Sequence, residues 1–244
     1  MNAHVEVKSR DHLDEVDAIR DRYSRRKGAL LDSIYSLLSP WNYMWAQEKE
    51  RALIKWIKYS RLEPLGDKKL LEIGCGKGNN LLQMVRLGFM PENLVGNDLL
   101  DERVQEARRL LPSGVNLVAG DAMQMRNEHV VYNVVMQSTV FSSILDSSFQ
   151  IKLAKKMWHW VKPGGGILWY DFVYNNPRNK DVGGIPLSRV RDLFPESRMK
   201  HWRVTLAPPI ARLVTRLHPS FYTIFNMLPF LRTHVLCWIQ KEEE

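Results

Sequence analysis

Glu72, Gly74, Gly76 and Gly78 lie in the run Leu70-Leu-Glu-Ile-Gly-Cys-Gly-Lys-Gly78, where an apolar strand meets a glycine-rich turn and then a helix. Glycine at every second position lets the backbone turn tightly. It also lets a ligand come close, because a side chain at Gly74 or Gly76 would take up the ligand's space. The spacing is G-x-G-x-G, not the G-x-G-x-x-G that seats a dinucleotide pyrophosphate at a helix N-terminus. A carboxylate at Glu72, two residues ahead of the loop, repels a pyrophosphate and suits a ligand carrying an ammonium and a sulfonium. Charge therefore points to S-adenosylmethionine rather than NAD.

Further acids recur at the ends of later apolar runs. Asp98 lies 20 residues past Gly78 and closes Leu94-Val-Gly-Asn-Asp98. A carboxylate there can accept from both hydroxyls of a ribose in charge-assisted bonds; it could instead cap the next helix, a task Asp101 could equally fill. Asp121, in Val118-Ala-Gly-Asp-Ala-Met-Gln124, could take the exocyclic amine of an adenine or simply start a turn. Asp171 follows the buried run Leu168-Trp-Tyr170 and is the first candidate for a general base or acceptor anchor, the alternative being a cap on the loop at 173–179. In that loop Tyr174, Asn175, Asn176 and Arg178 offer hydrogen bonds, although turn chemistry alone explains Asn-Asn-Pro. His201, His218 and His234 stand singly, and Cys75 and Cys237 are the only cysteines. No metal-ligand spacing and no disulfide framework can be read from them.

A parallel sheet is needed to bring these residues together. From Lys69 onward short apolar runs alternate with amphipathic ones, which predicts βαβ units with strands at 70–73, 93–97, 116–119, 131–137 and 166–172. Helices are predicted at 80–87, 101–111 and 149–161, and Lys162-Pro-Gly-Gly-Gly166 ends the last of them. Residues 1–21 read as a solvated arm, and 23–59 as helical segments broken at Ser39-Pro40. Beyond Pro186 come a helix at 187–193, a strand at 201–206, an apolar insert and a final strand at 234–240. In open α/β sheets ligands bind outside the carboxyl ends of the strands, so an acceptor belongs near Gln137, Ser138, Thr139, Tyr170 and Asp171.

On these motifs, residues 70–172, reinforced by Trp160-Val-Lys-Pro-Gly-Gly-Gly166, resemble the class I S-adenosylmethionine-dependent methyltransferase family. The resemblance implies an α/β fold with a doubly wound, seven-stranded, mostly parallel sheet of Rossmann-like type. The residues themselves read as an N-terminal arm and helical cap (1–60) and a domain (61–244) whose apolar insert precedes a last strand; the resemblance makes that domain a methyltransferase and that strand antiparallel. The methionine part of the cofactor would sit on Glu72, Gly74, Cys75 and Gly76, the ribose on Asp98, and the adenine beside Leu99, Asp121, Ala122 and Met123, with Gln137 or Ser138 near the methionine end. One position departs: many relatives carry an acid at the start of the fourth strand, where this chain has Tyr132-Asn133. The insert at 207–231 is expected to act as a lid, with Tyr23 and Trp41 as closing aromatics. Segments 138–144, 169–177 and 206–212, with Leu231-Arg-Thr-His234, also look like a bacterial small-molecule subgroup, which shifts the expected reaction to O-methylation of a sugar, phenol or carboxylic acid in biosynthesis.

Composition narrows the classes. At 244 residues and 45% hydrophobic the chain can bury one large core without disulfides. Its 35 Lys and Arg exceed 27 Asp and Glu, giving +8, which suits an anionic partner, although the excess is spread along the chain as on a solvated surface. The enzymatic rival is an RNA methyltransferase, but no RNP-type strand, amine-holding motif or appended RNA-binding module is present, so nucleic acid is not the expected partner. A non-catalytic methyltransferase-fold subunit is the rival from another class. There is no secretory signal and no run of about 18 apolar residues, so a cytoplasmic location is expected. The insert, with Arg212, Arg216 and Arg232, also suits a peripheral contact with the inner membrane, or a homodimer face.

Overall fold

In the computed structural model, residues 3–25, 36–125, 131–177 and 179–243 are described. The strands are β1 (Leu70–Ile73), β2 (Leu94–Asp98), β3 (Asn116–Ala119), β4 (Tyr132–Ser138), β5 (Val161–Phe172), β6 (Arg198–Leu206) and β7 (Arg232–Gln240). They form one sheet in the order β3-β2-β1-β4-β5-β7-β6. Pairing is parallel from β3 through β5, and β7 runs antiparallel to both β5 and β6. The chain steps outward from β1 to β3 and then returns to the other side of β1, so the direction of winding reverses between β1 and β4. Such a switch point leaves a crevice at the strand ends.

The helices are α1 (Ala3–Arg25), α2 (Pro40–Ser60), α3 (Asn79–Leu87), α4 (Asp101–Leu110), α5 (Ser147–Trp160), α6 (Leu187–Leu193), α7 (Pro208–Leu217) and α8 (Ser220–Asn226). Alternation along each strand sends successive side chains to opposite faces, and each face has its own core. On one, Leu71, Ile73, Val135, Ile167 and Trp169 pack with Val16 and Ile19 of α1, with Leu153 and Met157 of α5 and with Val190 of α6. On the other, Leu70, Val134, Met136 and Leu168 pack with Leu53 and Trp56 of α2, Leu81 and Met84 of α3, and Val104 of α4. Trp56 and Trp238 meet there with ring centroids 5.6 Å apart. Burying such a side chain contributes roughly 2–3 kcal/mol each.

Local chemistry sets the ends of the helices. Asp146 accepts from the Phe149 N–H at 2.6 Å and opens α5, while Gly88, at φ 115°, closes α3.

Two expectations are corrected. Where a solvated arm is expected over 1–21, residues 3–21 belong to α1, and Val16 and Ile19 are buried. Those apolar positions are too sparse among charges to reveal the helix by pattern. The strand expected from Gly166 begins at Val161, so residues 162–165, expected to end the preceding helix, lie inside β5. A Cβ on Gly165 would stand 2.7 Å from the Asn133 carbonyl oxygen, and one on Gly166 2.7 Å from that of Ile239, so these glycines admit neighbouring backbones.

Candidate active site

The glycine loop uses its three glycines differently. Gly76, at φ 55°, has nothing within 4 Å of where a Cβ would stand, so the loop leaves open space there. Gly74, expected to make room for a ligand, instead makes room for the protein: its Cβ would fall 2.3 Å from Val140 Cγ2. Gly78, at φ 87°, sits against Leu111 and Ala107 and allows α3 and α4 to pack.

Asp98 fastens the loop to the end of β2. Its Oδ2 accepts from the Gly76 N–H at 2.8 Å and its Oδ1 from the Leu100 N–H at 2.9 Å. Each oxygen keeps a lone pair for a further donor. Asp121 Oδ1 accepts from the Met123 N–H at 2.8 Å and starts the turn that holds Ala122 and Met123. Cys75 is buried; its N–H donates to the Asn97 carbonyl at 2.8 Å, and burial pushes its thiol far above the ordinary range. A cleft of about 470 Å³ opens beside Leu99, Leu100 and Asp101, and Arg20, Asp21 and Ser24 of α1 form its opposite wall. No sequence pattern pointed to α1 at this edge.

At the end of β1, Glu72 is fully buried. Its Oε1 accepts from Asn80 Nδ2 at 2.6 Å, and its Oε2 is buried with no hydrogen-bond partner among the described residues. Burial drives its carboxyl well above the usual range, and the nearby Lys49 charge pulls it back in part. Lys49, from α2, donates to Asn80 Oδ1 at 2.7 Å and to Ser138 Oγ at 3.4 Å, and its Nζ lies 4.6 Å from the Tyr170 ring centre. Burial lowers its pKa, while Glu72 raises it in part. Around it, Trp45 Nε1 donates to Tyr170 Oη at 2.9 Å, and the His234 ring stacks on Tyr170 at 5.2 Å. His234 is pushed down to about 3, by burial first and by the Lys49 charge second, so its ring is neutral.

An orphaned carboxylate oxygen at Glu72, an unfilled cradle at Gly76 and spare acceptors on Asp98 fit the ammonium, the backbone approach and the ribose of S-adenosylmethionine. Residues 70–165 match a family model described as a methyltransferase domain. Those residues carry a methyltransferase domain, on a sheet of the Rossmann-like methyltransferase type. The chain is an S-adenosylmethionine-dependent transferase.

Solved structures agree on the fold of the methyltransferase. A magnesium protoporphyrin IX methyltransferase from Synechocystis, with bound SAH, is similar at 12% identity over 91% of this chain and 94% of that one, with a TM-score of 0.58. The cyclase SpnF is similar at 14% identity, covering 82% and 84%, with a TM-score of 0.59. An S-adenosylmethionine-dependent methyltransferase from Mesorhizobium loti is similar at 12%, covering 77% and 97%, with a TM-score of 0.55. No protein of curated function matches the sequence.

Within the methyltransferase site, Asp171 differs from its expected part. It is fully buried, its Oδ2 accepts from the Ser142 N–H at 3.2 Å and its Oδ1 from the Phe172 N–H at 3.0 Å. Burial still pushes it up to about 7. Gln137 does similar work: its Oε1 accepts from the Val140 N–H at 2.9 Å and its Nε2 donates to the Tyr170 carbonyl. Together they brace the turn 138–143, where Thr139 is held at φ 59°, a strained value for a β-branched residue. Ser138, at the start of that turn, does face Lys49.

Asn133, where relatives have an acid, accepts from the Lys69 N–H at 3.0 Å, so an amide oxygen serves that position. Tyr23 and Trp41 do not meet over one pocket. The Tyr23 hydroxyl is 3.2 Å from Ser143 Oγ, whereas Trp41 packs with the insert under Arg212. Arg178 lies outside the described residues. Among the described residues no group of three or more His, Cys, Asp or Glu could hold a metal, and no helix is long and apolar enough to cross a membrane.

Proposed function

We propose that this methyltransferase acts on an oxygen of a small acceptor, in the class of phenols, carboxylic acids or sugars, within biosynthesis in the cytoplasm. The observation that carries the reading is Lys49. A buried ammonium, walled by Tyr170 and Trp45, touches Ser138 at the methionine end of the cofactor crevice. In this reading Glu72, Gly74, Cys75 and Gly76 hold the methionine end, Asp98 the ribose, and Leu99, Asp121, Ala122 and Met123 the adenine, with Gln137 and Ser138 at the reacting end. Bound there, S-adenosylmethionine supplies an electrophilic methyl group on a sulfonium.

The chain's own residues supply position and charge. A buried cation stabilises an acceptor in its anionic form, which favours a phenolate or carboxylate oxygen as nucleophile. Orientation in a dry pocket accounts for much of the rate of such a displacement. Asp171 is a positioning residue here rather than the base, since one of its oxygens holds the Ser142 N–H of the turn and the other the Phe172 N–H at the end of β5. Residues 1–60 serve as the cap, 61–244 as the methyltransferase domain, and 207–231 as the wall that closes the acceptor side.

The test is a turnover screen with phenols, carboxylic acids and sugars, reading product mass and the site of methylation. O-methylated product from the parent, with kcat/KM for an acidic acceptor lowered at least tenfold in Lys49→Met, is the expected result. Methylation at nitrogen or carbon, or equal turnover in the variant, overturns the reading.

A further inference from the structure

The two helices of the insert turn only part of their surface inward. Ala211, Val214 and Thr215 of α7 and Tyr222 of α8 are buried. Opposite them, Leu213 is 64% exposed, Leu217 79%, Ile224 55%, Met227 71% and Phe230 71%, and Phe221 lies beside them at 38%. So many large apolar side chains in one short segment exceed the scattered exposure that an ordinary surface carries. Arg212 and Arg216, both exposed, form the adjoining row of α7. From Ser197 to Lys241 the sequence contains no Asp or Glu.

We propose that this face docks on an anionic lipid bilayer, with the apolar side chains at the headgroup boundary and Arg212 and Arg216 against lipid phosphates. Charge selects this occupant over a second copy of the chain. A two-fold interface would set the Arg212 and Arg216 rows of two copies against each other with no acid in either segment to offset them. The attachment is peripheral, because among the described residues no helix is long and apolar enough to span. It is firmly built into the fold: Tyr222 donates to Glu48 Oε2 at 2.6 Å, and Glu48 Oε1 accepts from the Thr205 N–H at 2.9 Å, which ties α8 to α2 and β6.

The experiment is co-sedimentation of the full chain with phosphatidylcholine vesicles, with and without about one-third phosphatidylglycerol. Arg212→Gln/Arg216→Gln and Leu217→Glu/Phe230→Glu are run beside the parent. Since the substituted side chains point outward, circular dichroism and cofactor affinity should match the parent in both variants. The expected result is binding to the anionic vesicles, lowered about 10- to 30-fold by the arginine variant and abolished by the glutamate variant. The proposal is overturned if the parent sediments no better with anionic vesicles than with neutral ones, or if both variants bind as the parent does. It is also overturned if sedimentation velocity shows a concentration-dependent dimer that Leu217→Glu breaks.

Discussion

A carboxylate as deeply buried as Glu72 is costly unless something compensates it, and one of its oxygens has no partner among the described residues. Asn80 and the nearby Lys49 charge compensate in part, and the bound cofactor's ammonium completes the site in the reading proposed above. Glu72→Gln is therefore expected to weaken cofactor affinity at least tenfold while costing little stability, a contrast that titration calorimetry and thermal melts would separate. Asp171 makes a prediction about pH. Its folded pKa, about 7, lies above its unfolded value, so the folded state holds the proton more tightly. The stability it contributes is full below the unfolded pKa and falls as pH rises toward 7. Asp171→Asn should flatten that part of the profile in denaturant melts at pH 4 to 7; an unchanged slope would assign the effect elsewhere.

At the scale of elements, what could be read from the sequence was what a single strand end contains. Glu72 with its glycines, Asp98 and Asp121 are each local patterns in which strand, turn and acid follow within a few residues, and the three strands carry them to one edge. Lys49, Glu48 and the α1 wall were not legible, because their partners lie far along the chain: Ser138 is 89 residues from Lys49, and Tyr222 is 174 from Glu48. The capping role of Asp121 is legible only as an alternative, since an acid after a strand serves a turn and a ligand equally well, whereas the hold of Asp171 on Ser142, 29 residues away, is not legible, the sequence suggesting only a cap on the loop at 173–179.

The glycine loop offers a sharper contrast between neighbouring positions. Gly78→Ala forces a Cβ to 2.8 Å from Leu111 at a positive φ and should cost about 1–3 kcal/mol of stability. Gly76→Ala meets no atom within 4 Å, so it should cost about 1 kcal/mol for its backbone conformation but weaken cofactor binding more than Gly78→Ala does. Chemical denaturation and cofactor titration of the pair would check both. Tyr222→Phe strips a buried acceptor of its donor and should lower stability by about 1–3 kcal/mol, loosening the insert from α2.

Across the whole molecule, sheet order explains why residues from distant stretches act together. The switch between β1 and β4 puts Ile73 level with Gln137, and β2 on the other side puts it level with Asn97, so the three strand ends open on one crevice. The flanking helices make that crevice particular to this chain, with α1 at the Leu99 edge and α2 bringing Lys49 to Ser138 at the end of β4. A ligand that binds only the folded form stabilises it, by about 2.7 kcal/mol at a hundredfold excess over Kd.

Calorimetric titration of the full chain with S-adenosylmethionine and with its demethylated product, beside Asp98→Asn, asks whether the crevice holds this cofactor. Saturable one-to-one binding of both ligands is expected, weakened roughly tenfold by a substitution that keeps one of the two oxygens bracing the loop. Folded protein that takes up neither ligand, or an Asp98→Asn variant that binds as tightly as the parent, would overturn that expectation.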